Sequence, residues 1–184
     1  MPPWFTSNGQ LKQNPTFEGH GAGARGGLEG TIYVVSNLND SGVGSLREVC
    51  TATGPRVGVF SVNPGYANLA SKITVSNPYL TLAFQSAPGG GGGVTGVAGT
   101  SFLNIDIATT DVVIQYARLR QQGDVGTPSQ GQVNLRLLAG AKRIVLDHCS
   151  VSFSFLDDIL TMYSTTDVGI EDVTMQHCFI YEGG

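Results

Sequence analysis

The residues with the most chemistry in this chain sit in a repeated phrase. Ile144-Val145-Leu146-Asp147-His148-Cys149-Ser150-Val151 returns 29 residues later as Val173-Thr174-Met175-Gln176-His177-Cys178-Phe179-Ile180. Asp147 beside His148 has the composition of an acid–base pair, in which a carboxylate orients an imidazole. Adjacent residues of a strand point to opposite faces, however, so the two are not expected to share one task easily. His148 therefore reads as a buried or stacked ring. Cys149 and Cys178 would lie on successive rungs about 4.8 Å apart. That separation admits a disulfide, but parallel in-register side chains lie alongside each other, so stacked, buried thiols are the expectation. Arg118 and Arg120 are the available candidates for a catalytic base; on a strand they read as outward, solvated arginines. His20 stands in a glycine turn with no partner in view.

The elements that must position these residues are short β-branched and apolar runs, which favour strand over helix. A third copy of the phrase, Val112 to Leu119, precedes the Ile144–Val151 copy by 32 residues. Phrases returning every two or three dozen residues mark a solenoid that climbs one step per turn. Thr31–Val35, Arg56–Val62, Ile73–Val75, Tyr79–Phe84, Phe102–Ile107, Leu135–Leu138 and Ile159–Met162 add further strands. No long helix separates them, which excludes a doubly wound α/β sheet. An antiparallel sandwich is the alternative; in-register phrases, and tight hairpin dipeptides such as Asn-Gly that lie outside the strand series, favour a parallel β-helix.

Ser45-Leu46-Arg47-Glu48 reads as a capping box, with the Ser45 hydroxyl accepting from the Glu48 N–H and the Glu48 carboxylate returning to Ser45. The short helix that follows would cover the open end of the solenoid core. Gly21-Ala22-Gly23-Ala24-Arg25-Gly26 matches the spacing of a dinucleotide fingerprint. It follows a polar stretch and precedes a strand, where the fingerprint needs the reverse context. It reads instead as a glycine turn that brings the chain onto the first coil. Residues 1–16, with three prolines, read as an irregular arm, and residues 17–184 as one β-helix domain.

The 184 residues suffice for one core, and a net charge of −4 with 13% charged residues does not suit a nucleic-acid backbone. Lys142-Arg143 is an isolated basic pair. No apolar run approaches the roughly 20 residues of a membrane span, and no signal peptide is visible.

Gly19-His-Gly-Ala-Gly, Asn37-Leu-Asn-Asp-Ser-Gly-Val-Gly-Ser-Leu-Arg-Glu48, Gln85-Ser-Ala-Pro-Gly89 and Val145-Leu-Asp-His-Cys-Ser150 together resemble the pectate lyase family. The resemblance runs from about Phe17 to Glu182. It implies an all-β chain: a right-handed, single-stranded parallel β-helix with a short N-terminal capping helix. It also implies calcium-assisted β-elimination, in which carboxylates hold Ca²⁺ against a uronate and an arginine removes the adjacent C5 proton. Carried onto this chain, the family's first ligand pair falls on Gln132 and Asn134, and its second on Asp157 and Thr161. One carboxylate of four remains, with Asp158 on the opposite face, so no tight Ca²⁺ site is expected. The arginine base is expected on a coil after the last repeat in this chain. These losses favour a structural, adhesive or carbohydrate-binding β-helix, extracellular or at the cell surface. End-to-end stacking into a filament or strand addition at the C-terminal edge would be its mode of assembly, and the arm would strap a neighbour. The competing expectation is a calcium-dependent lyase, or a fragment of one, acting on an acidic polysaccharide.

Overall fold

The computed structural model describes residues 12–62, 65–89, 91–96, 105–120, 133–154 and 160–183. The chain is a parallel β-helix. β1 (Thr31–Val35) opens it, followed by α1 (Leu46–Thr51). Four complete coils then each contribute one strand to each of three sheets. They are β2 (Arg56–Phe60), β3 (Tyr66–Leu69) and β4 (Ile73–Val75), then β5 (Leu80–Ala83), β6 (Gly93–Gly96) and β7 (Ile105–Ile107). β8 (Thr110–Gln115), β9 (Arg118–Arg120) and β10 (Leu135–Leu138) form the third, and β11 (Lys142–Asp147), β12 (Ser150–Ser154) and β13 (Leu160–Tyr163) the fourth. β14 (Glu171–Gln176) and β15 (Phe179–Gly183) start another. The six-stranded sheet runs β1-β2-β5-β8-β11-β14, the five-stranded β15-β12-β9-β6-β3 and the four-stranded β13-β10-β7-β4.

Register explains the core. Leu80, Val112, Ile144 and Val173 occupy one rung position, and Leu82, Ile114, Leu146 and Met175 the next inward one. Ala67, Val94, Leu119, Val151 and Ile180 make the facing ladder on the five-stranded sheet. Two strands escape the sequence reading. Tyr66–Leu69 is short, and Gly93–Gly96 follows directly on a glycine run that offers no side-chain pattern. Gly93 is required in that strand, because a Cβ would stand 2.3 Å from the Arg118 carbonyl oxygen and 2.5 Å from the Tyr66 ring.

The glycine motif lies elsewhere than expected. It crosses the outer face of the six-stranded sheet, so that Phe17, Ala22 and Ala24 pack on Val113 and Val145. Its amides bind that sheet: Gly21 donates to Thr174 Oγ1 at 2.9 Å, Arg25 to Asp111 Oδ1 at 3.1 Å and Gly27 to Thr81 Oγ1 at 2.9 Å. These N–H groups are therefore committed within the chain and form no phosphate cradle. Gln13 of the presumed arm also donates to Thr81 Oγ1, at 3.0 Å. Its described part thus lies on its own sheet.

The capping box is displaced by one residue. Ser45 Oγ accepts from the Glu48 N–H at 3.3 Å, but the Glu48 carboxylate takes the Gly44 N–H, at 2.6 Å, while the Ser45 N–H bonds the Gly42 carbonyl. The far end of α1 is held by Arg56, which is fully buried. Its guanidinium donates to the carbonyls of Val49, Cys50, Gly54, Asn77 and Pro78, joining the helix to two coils.

Candidate functional site

Where the six-stranded sheet turns into the five-stranded one, three successive coils place a non-glycine residue in the left-handed region. Tyr116, His148 and His177 have φ of 58°, 54° and 53°. Such a residue interrupts strand alternation. Asp147 and His148 consequently both face outward, and the expectation that neighbours must diverge fails here. The rings form a ladder: Tyr116 on His148 at 4.6 Å and 10°, and His148 on His177 at 4.5 Å and 29°.

Asp147 is the hub beneath that ladder. Its Oδ1 accepts from His148 Nδ1 at 2.7 Å, His177 Nδ1 at 3.3 Å and Gln176 Nε2 at 3.0 Å; its Oδ2 accepts from Gln115 Nε2 at 3.1 Å. Burial pushes the carboxyl up, but the two glutamine amides and the two imidazoles outweigh it and hold it below the ordinary range. Gln115 and Gln176 fill the position of Asp147 in their own copies of the repeat. Aligning the three copies would have revealed them.

Cys149 and Cys178 turn inward and are free thiols. Cys149 is buried, whereas Cys178 is only half-buried, short of the fully buried pair expected. The Cys178 thiol and burial push Cys149 well above the ordinary thiol range, which makes it inert as a nucleophile.

Arg118 and Arg120 lie on β9. Arg120 is tied down: it donates to the Ser150 carbonyl and to Ser150 Oγ, both at 2.7 Å, and its guanidinium stands 5.8 Å from the Tyr181 ring centroid. Arg118 is exposed and lines an open groove of about 350 Å³ with Gln85, Gly91, Tyr116, His148 and Ser150.

The ligand set carried over for calcium does not assemble among the described residues. Gln132 and Asp157 lie outside them. Asn134 is buried and its amide donates to the Ser152 carbonyl at 2.9 Å. Thr161 sits on β13 in register with Arg136, which in turn is in register with Asp106. Asp106 is buried and already paired with Arg136 at 2.8 Å and Lys72 at 3.0 Å. A guanidinium in the neighbouring rung disfavours a divalent cation beside Thr161. Asp147, His148 and His177 do offer ligand atoms within 4.8 Å of one another. Their imidazoles are stacked, however, and a metal must lie in the plane of each ring it binds, so the two rings as placed cannot aim at one ion.

No family model matches the chain. Its curated relatives include proteins named probable pectate lyase C. That of Aspergillus oryzae is 39% identical over 181 residues, covering 97% of this chain and 38% of that protein. That of Aspergillus terreus is 38% identical over 169 residues, covering 92% and 36%. The chain is pectate lyase-like. It spans about two-fifths of the length of the curated relatives it matches. Among solved structures, the major allergen from cedar pollen superposes with a TM-score of 0.62 at 19% identity, over 85% of this chain and 46% of that one. At that identity the likeness concerns the fold alone, and the fold is the parallel β-helix. Among the described residues no helix is long and apolar enough to cross a membrane.

Proposed function

We propose that this pectate lyase-like chain belongs to an extracellular lyase that cleaves pectate-type uronans by β-elimination. The observation that carries the reading is identity of 39% sustained over 97% of the chain with a protein named probable pectate lyase C. In the reaction a base takes the proton from C5 of a uronate. The electron pair becomes the C4–C5 double bond, the C4–O bond breaks, and the departing sugar oxygen gains a proton.

The chain's contribution is the β-helical surface that receives the polymer. On the outer face of the four-stranded sheet, Lys72 is 47% exposed beside the Arg136–Asp106 pair. Two cations against one carboxylate leave a positive field suited to uronate groups. The family resemblance implies calcium, but the described residues do not cage that ion. The arginine base is assigned by resemblance to a coil beyond those described. No observation supports the filament or purely structural reading, so the lyase reading is preferred. Incubating the protein as its source produces it with polygalacturonate, with added calcium and with a chelator, tests it. Ultraviolet absorbance from unsaturated uronides is the expected result, and flat absorbance in both conditions contradicts it.

A further inference from the structure

The groove between the six- and five-stranded sheets has no part in the elimination just described. Three successive coils line it: Gln85 and Gly91 from one, Tyr116 and Arg118 from the next, His148 and Ser150 from the third. At about 350 Å³ it stands at the lower end of the range for small-molecule sites, about 300 Å³ upward. Its chemistry is mixed in a particular way. A guanidinium offers the donor fork that matches a carboxylate. An amide and a hydroxyl supply hydrogen bonds, and a phenol ring supplies an apolar face with a polar tip.

These side chains are held in place before any ligand arrives. Both Nδ1 atoms of the histidine ladder face Asp147 Oδ1, so Nε2 is the ring nitrogen of His148 left for a ligand hydroxyl, which can donate or accept. Tyr116 is stacked on His148 at 4.6 Å. The Gln85 amide is held by Gln115 Oε1 at 3.3 Å. Among the described residues the ring stack ends at Tyr116. The coil before it turns through the short 3₁₀ segment Phe84–Ser86, which brings Gln85 to the groove instead of another ring. Side chains already fixed lose less freedom on binding.

We propose that this groove is a second, non-catalytic binding site for a uronate-bearing oligosaccharide. The sugar carboxylate meets Arg118, its hydroxyls meet Gln85, Ser150 and His148 Nε2, and its ring lies along Tyr116. Arg118 also has an interaction within the chain, and the five donors of a guanidinium accommodate both. The site is on β9 and its neighbours, on a different sheet from Lys72 and Arg136, so a polymer chain engaged there would be retained while another stretch is processed. The ligand class rests on the lyase reading; the location of the groove does not.

Digalacturonate titrated into the chain, followed by nuclear magnetic resonance of the imidazole and Tyr116 ring protons, tests the site. Saturable shifts of the His148 and Tyr116 signals are expected. Arg118→Ala should weaken the interaction about tenfold or more, with the rest of the amide spectrum unchanged. Tyr116→Ala should weaken it as well, and a neutral galactose disaccharide should bind more weakly than digalacturonate. Unmoved ring signals, undiminished binding by Arg118→Ala, or equal binding of the neutral disaccharide would each overturn the site. Elimination is assayed separately, on the protein as its source produces it. Ring shifts without unsaturated products keep the groove and remove the lyase reading; products without ring shifts do the reverse.

Discussion

Replacing Asp147 by asparagine probes the hub of the ring ladder directly. The carboxylate accepts four side-chain hydrogen bonds, from His148, His177, Gln115 and Gln176. A bond to a charged partner contributes about 1.5–3 kcal/mol net and a neutral one about 0.5–1.5. Losing the charge thus removes roughly 1 kcal/mol per bond, or about 4 kcal/mol as an upper bound. The imidazoles are 41% and 60% exposed, so water replaces much of what two of those donors lose. A cost of about 2 kcal/mol remains, which lowers a urea midpoint by about 1 M at an unchanged slope of about 2 kcal/mol per M. Equilibrium urea unfolding at neutral pH measures it. A second arm fixes the cause. Because the folded carboxyl is held below its ordinary range, its contribution is complete above about pH 4 and fades as pH falls through the folded value. The gap between wild type and Asp147→Asn should therefore close in acid. A midpoint unchanged at neutral pH, or a gap that widens in acid, refutes the reasoning.

Three further outcomes are expected. Arg56→Met removes a fully buried guanidinium that satisfies five carbonyls, and should cost about 3–5 kcal/mol in the same unfolding measurement. Gly21→Ala would place a Cβ 2.4 Å from the Ile144 carbonyl oxygen and 2.7 Å from the Thr174 nitrogen, and backbone cannot yield there. It should lift the N-terminal segment off the six-stranded sheet and speed amide exchange in residues 12–30, leaving the inner rungs protected. Leu146→Ala, in the centre of the aliphatic ladder, should cost about 2–5 kcal/mol without changing the fold, as read by circular dichroism.

Much of the architecture was legible because the inward ladder is written as repeats. The Ile144 and Val173 phrases align in the structure in the register their spacing gives, and Val112 joins them. What the sequence hid has physical causes. Strand β6 follows directly on a glycine run, so no side-chain pattern announces it. The outer face of the six-stranded sheet is covered by a segment whose own glycines allow close approach, a contact with no periodicity to read. The site was harder. Asp147 and His148 were set on opposite faces by a rule that holds only within regular strand, and the left-handed φ of His148 breaks it. Arg136 was not singled out, because its pairing with Asp106 depends on which residues the coils bring into register. The family likeness told more about function than the carried-over ligands did, since neutral residues stand at three of those four positions.

The most direct measurement of the central claim is mass spectrometry of the products formed from a defined oligogalacturonate by the protein as its source produces it. Elimination leaves one fragment lighter by a water molecule than hydrolysis would, with a double bond at its non-reducing end. That unsaturated fragment is the predicted product. An intact substrate, or fragments carrying the added water, would contradict the account.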